Sequence, residues 1–122
     1  MRIFDPVIQG LGSALDMFQT RHRVLTENVA NAETPGYRAR DLDFSSALDQ
    51  AFDQGGSTAS DASEPEPVVD PHAAVKIDGN SVELETEMSR LSENALRIVA
   101  LSQILVRKYN GLITAINGGG QS

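Results

Sequence analysis

The fold is decided by an apolar stretch near the end of the chain, LRIVALSQILV at residues 96–106. Drawn as a helix, this stretch places apolar side chains around the whole axis, interrupted only in part by Arg97, Ser102 and Gln103. A helix that is apolar on every side has to be covered on every side. The rest of this 122-residue chain must supply that cover, or other chains must.

The stretch belongs to a longer periodic segment, which predicts a C-terminal helix over residues 80–118, about 50 Å long. The dipeptide Asp-Gly at 78–79 predicts a turn, Asn80 and Glu83 have the spacing of a capping box, and the glycines at 118–120 end the helix. Positions that are apolar except for Ser102 recur at alternating steps of four and three, which is the heptad spacing of a coiled coil. They are Leu84, Met88, Leu91, Ala95, Ile98, Ser102, Leu105, Tyr109, Leu112 and Ile116.

A second heptad pattern predicts an N-terminal helix over residues 1–33. Asp5 suits the N-cap, Pro6 suits the first helical position, and Pro35 disfavours helical geometry in the residue before it. The expected apolar stripe is Ile8, Leu11, Leu15, Phe18, His22, Leu25, Val29 and Ala32. A lone histidine in such a stripe is more often a packing residue than a metal ligand or a base, so we expect His22 to pack in the core.

The region between the two helices is acidic and poor in apolar residues. We divide it into a turn and extended arm at 34–53, with a short helix possible within 42–52, and a flexible acidic linker at 54–79. Glycine, serine, proline and acids dominate residues 54–71, and such a composition cannot bury enough apolar area to fold. Residues 119–122 form a tail.

These patterns predict an all-α fold in which two long amphipathic helices, N-terminal and C-terminal, pack as a coiled coil. The N-terminal helix can cover only one face of the C-terminal helix. We therefore expect the remaining apolar face to be buried by other chains, or to stay loose in the free chain and fold as it assembles. The packing residues of this shared core are predicted to be Leu25, Val29, Ile98, Leu101, Leu105, Leu112 and Ile116.

Composition argues against several functional classes. Seventeen acids against ten bases give a net charge of −7, which disfavours binding to nucleic acid through the overall field. The chain has no cysteine, so thiolate metal sites and cysteine nucleophiles are excluded. It has no apolar run long enough to span a membrane, and its start does not read as a cleaved signal peptide. We expect no metal, cofactor or small-molecule substrate.

The most distinctive segment, NVANAETPGYRARDLDF at 28–44, combines a helix end with a sharp turn. Pro35 and Gly36 occupy the second and third positions of a predicted type II turn. Asn28 and Asn31 lie on one side of the last helical turns, and Tyr37 has a ring suited to an interface. On spacing alone, the segment is either an ordinary capped helix and turn or a contact site for a neighbouring chain. The contact-site interpretation uses Asn28, Asn31, Thr34, Pro35, Gly36 and Tyr37.

At these residues the chain resembles the flagellar rod and hook family of axial proteins, whose shared motif is read here as NVANAETPGY at 28–37. The continuation to Phe44, together with DGNSVELETEM at 78–88 and ENALR at 93–97, resembles the proximal rod members of that family. The likeness covers most of residues 10–117 outside the linker.

The resemblance implies a non-enzymatic structural subunit of the proximal rod in the bacterial flagellar basal body. It implies self-assembly through the terminal helices into a helical tube in the periplasmic space, after export without a cleaved signal by the flagellar export apparatus. The implied partners are other copies of the chain, neighbouring rod proteins and the junction of the rod with the membrane ring. An extended arm that touches neighbours would correspond to residues 38–52, which begin with Arg38 and include Arg40.

Two other functional classes remain open from the residues themselves. A helical export chaperone or adaptor would bind one client through the same apolar face and form a small defined complex. An enzyme would use Asp41 and Asp43 as an acid–base pair, although no nucleophile, pocket or oxyanion donor accompanies them in the sequence.

Overall fold

The computed structural model describes residues 6–46, 49 and 66–118. These residues form helix α1 (Pro6–Ala30), strand β1 (Arg40–Asp41), strand β2 (Val68–Val69) and helix α2 (Leu84–Gly118). The two helices dominate the fold and pack against each other, which confirms the predicted all-α class. Neither of them is long and apolar enough to cross a membrane, within the part of the chain that the structure describes.

Helix α1 begins at Pro6, where a missing backbone N–H costs nothing, and it ends at Ala30, three residues before the predicted limit. Its buried stripe differs from the predicted one because His22 is exposed and the inward positions near it are Val24 and Leu25. The prediction that His22 packs in the core was therefore wrong. The buried residues of α1 are Ile8, Gly10, Leu11, Ala14, Met17, Phe18, Val24, Leu25 and Asn28.

Helix α2 runs antiparallel to α1. The side-chain amide of Asn28 donates to Glu87 near one end of the pair, and that of Asn94 donates to the Phe18 carbonyl further along. Beyond these contacts α1 has 12 residues left before Phe18, whereas α2 has 24 left after Asn94. At about 1.5 Å per residue, the end of α2 projects roughly 18 Å past the described start of α1.

The face that α2 turns towards α1 is rotated by part of a turn from the predicted stripe. Glu87 and Asn94 are its buried members, and four predicted packing residues are half-buried: Ile98, Leu101, Leu105 and Leu112. By contrast, Leu84, Met88, Tyr109 and Ile116 are each 41–52% exposed. The heptad period was correct, but several apolar positions on α2 point away from the only helix that packs on it among the described residues.

The start of α2 also differs from prediction. The helix begins at Leu84 rather than at Asn80, and the Asp78–Gly79 turn precedes it as expected, with Gly79 at φ +82°. Asn80 does not cap α2 with Glu83, because the helix starts four residues after it, and its side-chain amide instead donates to the carbonyls of Asn31 and Thr34 at the end of α1.

The two strands form a small antiparallel sheet in which Arg40 pairs with Val69 and Asp41 with Val68. The linker prediction was therefore wrong for its last part, since Val68 and Val69 lie in a strand and the Asp70 N–H donates to the Ala39 carbonyl. The predicted short helix is present at residues 44–46 and 49, and Phe44 packs on Phe18 with 4.2 Å between ring centroids. The first part of the predicted linker, residues 54–65, and the end of the predicted arm, residues 50–53, lie outside the described residues.

Candidate assembly junction

The two sequence segments that carry the resemblance meet in space at one end of the helix pair. We call this region the junction and define it as residues 28–41, 68–70 and 76–90. The Gly36 N–H donates to the Asp78 carbonyl, the Ser81 N–H donates to the Tyr37 carbonyl, and the Ala39 N–H donates to the Ser81 hydroxyl. The segment after the turn therefore runs alongside the segment before α2.

The turn at Thr34–Tyr37 has the geometry that Pro35 and Gly36 predicted. The Tyr37 N–H donates to the Thr34 carbonyl at 3.2 Å, and Gly36 has φ +78°. A positive φ at the third position is the requirement of a type II turn, which confirms the predicted turn type. Gly79 also has a positive φ, and a Cβ built on it would lie 3.3 Å from Gly36 Cα, so the two glycines let two backbone turns approach closely.

Asn28 is the centre of the junction and is fully buried. Its side-chain nitrogen donates to the Arg40 carbonyl at 2.7 Å and to Glu87 Oε2 at 3.1 Å. Its side-chain oxygen accepts from the Arg40 N–H at 3.0 Å and from the Tyr37 hydroxyl at 3.1 Å. Because both groups of the amide are used twice, Asn28 joins α1, β1, the turn and α2 within a single chain.

Asn31 and Asn80 tie the end of α1 to the segment before α2. The side chain of Asn31 donates to the Glu27 carbonyl and accepts from the Thr34 hydroxyl, so it holds the last turn of α1 in place. Asn80 is also fully buried, and its side-chain amide gives the carbonyls of Asn31 and Thr34 a second hydrogen bond, beside those from the Thr34 and Tyr37 N–H groups. Its side-chain oxygen accepts from the Val82 N–H at 2.7 Å.

Glu87 is a buried carboxylate at the base of the junction, with a side chain only 3% exposed. Burial raises the pKa of Glu87, while the hydrogen bond from Asn28 and the nearby Arg90 guanidinium act in the opposite direction. The Oδ2 atom of Asp70 lies 3.1 Å from Nη2 of Arg90. Burial acts to raise the pKa of Asp70, but the His72 N–H and Arg90 outweigh it, so that pKa is lowered.

A shallow cavity of about 160 Å³ opens beside this cluster, between the loop at 70–74 and the first turns of α2. Asp70, Glu87 and Arg90 on its wall are already engaged with one another. The described residues include no group of three or more histidines or acids that could hold a metal ion.

Asp41 and Asp43 are held by different partners. Asp41 receives two hydrogen bonds from the Arg21 guanidinium, at 2.9 and 3.1 Å, and one from the Leu42 N–H. Asp43 accepts from the hydroxyls of Ser45 and Ser46 at the start of the short helix. Arg21 also lies over the Phe44 ring, at 5.5 Å from its centroid, so this corner fastens the arm to α1.

The site residues singled out in the sequence fall into two groups. Leu25 and Asn28 are fully buried, and Val29, Asn31, Tyr37 and Arg40 are half-buried. Arg40 pairs with Glu27 at 2.8 Å. The exposed members are Thr34, Pro35, Gly36, Arg38 and Ile116.

Among the buried polar residues that sequence reasoning missed are Asn80, Glu87 and Asn94. Asn80 was assigned to a helix cap, and the other two were passed over because they lie outside the apolar stripe. A signal was present, since Glu87 and Asn94 are seven residues apart and Leu101 follows at the same heptad position.

The outer surface of α2 contrasts with the junction. Five large apolar side chains of α2 that lie outside the predicted stripe are between 41% and 71% exposed: Leu96, Val99, Ile104, Val106 and Ile113. Together with Tyr109 and Ile116 they leave apolar groups of the C-terminal half of the helix exposed to solvent, as the apolar stretch at 96–106 predicts.

Comparison with known proteins agrees with this architecture. Residues 8–38 match the family described as flagella basal body rod protein. The flagellar basal body rod protein FlgB of Cereibacter sphaeroides (strain ATCC 17029) is 36% identical, with 86% of this chain and 89% of the relative covered. FlgB of Bacillus subtilis is 30% identical, covering 98% and 99%, and FlgB of Salmonella typhimurium is 27% identical, covering 94% and 96%. The chain belongs to the FlgB family of flagellar basal body rod proteins.

Proposed function

We propose that this chain, a structural subunit of the flagellar proximal rod, assembles through the apolar surface of α2 that its own fold leaves uncovered. The observation that carries this proposal is the exposure of Leu96 and Val99, at 71% and 53%, on a helix whose opposite face is already packed on α1. A rod subunit has to contribute surface to a core shared with its neighbours. Each such side chain buried there contributes about 1.5–3 kcal/mol.

The partners we propose are other copies of this chain, neighbouring rod proteins and the junction of the rod with the membrane ring. We place this assembly in the periplasmic space, after passage through the flagellar export apparatus. Two features support a neighbour-facing role for the turn: Thr34, Pro35, Gly36 and Arg38 are exposed, and the buried Asn28 and Asn80 fix the backbone that presents them.

A structural rather than catalytic role also fits the carboxylates that sequence reasoning considered. Arg21 and the Leu42 N–H engage Asp41, and serine hydroxyls engage Asp43. Each carboxylate therefore already has a local structural task, and we propose no reaction for this pair.

The proposal is tested by making the outer face polar and leaving the fold intact. The double variant Leu96→Gln, Val99→Gln removes two exposed apolar side chains and should change the free energy of unfolding by less than about 0.5 kcal/mol. We expect helical circular dichroism to be retained, association of the purified chain at rising concentration to be lost, and swimming to fail when the variant replaces the native protein in its host.

The matched control is Ser89→Gln, Ser92→Gln, one heptad earlier on the same exposed face. It introduces the same two side chains without removing apolar surface, so association and swimming should be unchanged. Normal association and swimming of the Leu96, Val99 variant would contradict the proposal. A wild-type chain that stops at a small complex of fixed size with one client would favour the chaperone or adaptor alternative.

A further inference from the structure

The small sheet of β1 and β2 has two outer edges, and its register shows which backbone groups point to each. The Asp70 N–H donates to the Ala39 carbonyl, which fixes the positions of the hydrogen bonds between the strands. In an antiparallel pair, residues that exchange hydrogen bonds alternate with residues that do not. Arg40 and Val69 form the pair next to this bond, so they exchange none. Their N–H and C=O groups therefore point outwards, one set to each edge of the sheet.

The outer edge of β1 is closed by a side chain of the same molecule. The side-chain nitrogen of Asn28 donates to the Arg40 carbonyl at 2.7 Å, and the Arg40 N–H donates to the Asn28 side-chain oxygen at 3.0 Å. These are the two hydrogen bonds that a residue of a third antiparallel strand would make with Arg40. Since Asn28 is fully buried, it takes the place of that third strand and keeps other chains from pairing there.

The outer edge of β2 is open to solvent. Val69 is 53% exposed, and its N–H and C=O form no hydrogen bond with any residue that the structure describes. Val68 is exposed by half as well. An exposed edge strand with unpaired backbone groups is a template on which a strand of another chain can be added. This edge therefore needs some other form of protection if the chain is to avoid pairing through it.

Two prolines flank this edge in the register that would extend it. Backbone groups two residues apart in a strand point to the same edge, so the positions that continue the outer edge from Val69 are Pro67 and Pro71. Proline has no N–H to donate. Pro71 also lies in a turn, because the Ala73 N–H donates back to the Asp70 carbonyl. A strand laid along β2 would find the N–H of Val69 and no donor on either side of it.

Charge acts in the same direction as the prolines. The sequence EPVVDP at 66–71 places one acid and one proline on each side of the two valines. Glu66 is exposed, and Asp70 is half-buried in its ion pair with Arg90. Charged residues and prolines beside an apolar strand are the features by which natural proteins prevent strands from pairing edge to edge.

We infer that the sheet is closed to strand addition at both edges, by Asn28 on β1 and by Pro67 and Pro71 on β2. A partner that contacts Val68 and Val69 does so through side chains and not by adding a strand. The prolines thereby determine the mode of association, because they restrict an adhesive chain to contacts between side chains. This inference does not depend on the role proposed for the outer face of α2.

The first experiment gives the edge its missing donors. The variant Pro67→Thr, Pro71→Thr adds two N–H groups beside Val69, on a residue type that favours strands. During incubation of the purified chain, it should form sheet-rich aggregates about tenfold faster than the wild type, measured by thioflavin T fluorescence and by the infrared absorption of β-sheet. The control Pro6→Thr, Pro35→Thr replaces two prolines away from the sheet and should match the wild type. Equal aggregation of the two variants, or no sheet formation by the first, would overturn the inference.

The second experiment tests the direction of the backbone groups without aggregation. Val69→Pro removes an N–H that points away from β1, so the midpoint of urea unfolding should stay close to that of the wild type. Val68→Pro removes the neighbouring N–H, which the register directs at the Asp41 carbonyl, and should lower the midpoint clearly. If the two variants lose equal stability, or if Val69→Pro loses more, the N–H of Val69 is not on the outer edge and the inference fails.

Discussion

The junction and the outer half of α2 differ in which side chains they bury and which they expose. At the junction, polar side chains are fully buried and their hydrogen bonds are made within the chain, as with Asn28 and Asn80. Along the outer half of α2, large apolar side chains such as Leu96 and Val106 are more than half exposed. The first region is complete by itself, whereas the second is complete only in contact with something else.

The contrast shows how one short chain can be specific and adhesive at once. Buried amides specify geometry, because each donor and acceptor has to find a particular partner. Exposed apolar groups supply association energy but little direction. A subunit with both can present an adhesive helix at a fixed angle, set by the junction. Substitutions in each of the two regions test this difference.

The largest loss of stability is expected from Asn28→Ala. This substitution leaves the Arg40 N–H and carbonyl, the Tyr37 hydroxyl and Glu87 without their buried partner. Each unsatisfied buried group costs about 1–3 kcal/mol, so we expect a loss of roughly 3–5 kcal/mol in the free energy of unfolding, measured by denaturant titration.

Asn31→Ala is the matched control for Asn28. It removes an amide three residues further along, just after the end of α1, but Asn31 is half-buried and its partner Thr34 is exposed, so the loss should be about 1 kcal/mol. If the two alanine variants lose equal stability, Asn28 is not the centre of the junction.

The two glycines of the junction should differ in their response to alanine. Gly36 has φ +78° but open space where a Cβ would lie, so Gly36→Ala should cost only the strain of a left-handed residue, about 1–2 kcal/mol. At Gly79 the same strain is joined by a Cβ position 3.3 Å from Gly36 Cα, so Gly79→Ala should cost more.

At a third glycine, substitution by alanine should increase stability rather than decrease it. Gly111 lies inside α2 with open space around it, so Gly111→Ala should stabilise the helix by about 1 kcal/mol. Comparing midpoints of urea unfolding for the three alanine variants tests the order. A Gly36 variant less stable than the Gly79 variant would mean that close contact between the two turns is absent.

Glu87 makes the stability of the junction depend on pH. Because burial raises its pKa above the ordinary value of 4.5, the folded chain favours the protonated form. Its contribution to stability is therefore fully present below about pH 4.5 and is lost as the pH rises through the folded pKa. Asp70 acts in the opposite sense, since its lowered pKa gives a contribution that is present above pH 3.8 and lost on further acidification.

Glu87→Gln should remove the loss of stability with rising pH. Unfolding midpoints measured from pH 4 to pH 8 should fall less for this variant than for the wild type. Glu85→Gln, at an exposed position two residues away, removes a charge outside the buried hydrogen-bond network of the junction and should leave the wild-type dependence in place. A Glu87→Gln profile that coincides with the wild-type profile would show that Glu87 does not titrate with folding.

Much of the architecture could be predicted because it follows from local rules. Pro6 marks the start of α1, Pro35 and Gly36 specify their turn, and the heptad period identifies both helices. The stripe predicted on α2 had the correct heptad spacing, but it was placed at the wrong angle around the helix axis. It followed positions that are apolar except for Ser102, whereas the face towards α1 also includes Glu87 and Asn94.

The junction could not be predicted for a related reason. Its hydrogen bonds join residues far apart in the sequence, such as Asn28 with Glu87 and Asn80 with Asn31. Local spacing gives no information about such pairs, so Asn80 was assigned to the nearest helix start. The strand β2 was missed because the composition around Val68 and Val69 is that of a linker, and its pairing with Arg40 and Asp41 is a tertiary effect.

The smallest effect is expected at Asn94, the buried amide that lies between the two regions. Its nitrogen donates to the Phe18 carbonyl at 2.8 Å, but its side-chain oxygen is buried without a partner among the described residues. Asn94→Leu removes that desolvated oxygen and adds apolar contact, while the Phe18 carbonyl keeps the hydrogen bond of its own helix. The free energy of unfolding should therefore change by less than about 1 kcal/mol, or rise, whereas Asn28→Leu should be strongly destabilising. A loss above about 2 kcal/mol for Asn94→Leu would show that this oxygen has a partner, and Asn94 would then belong with the self-contained junction.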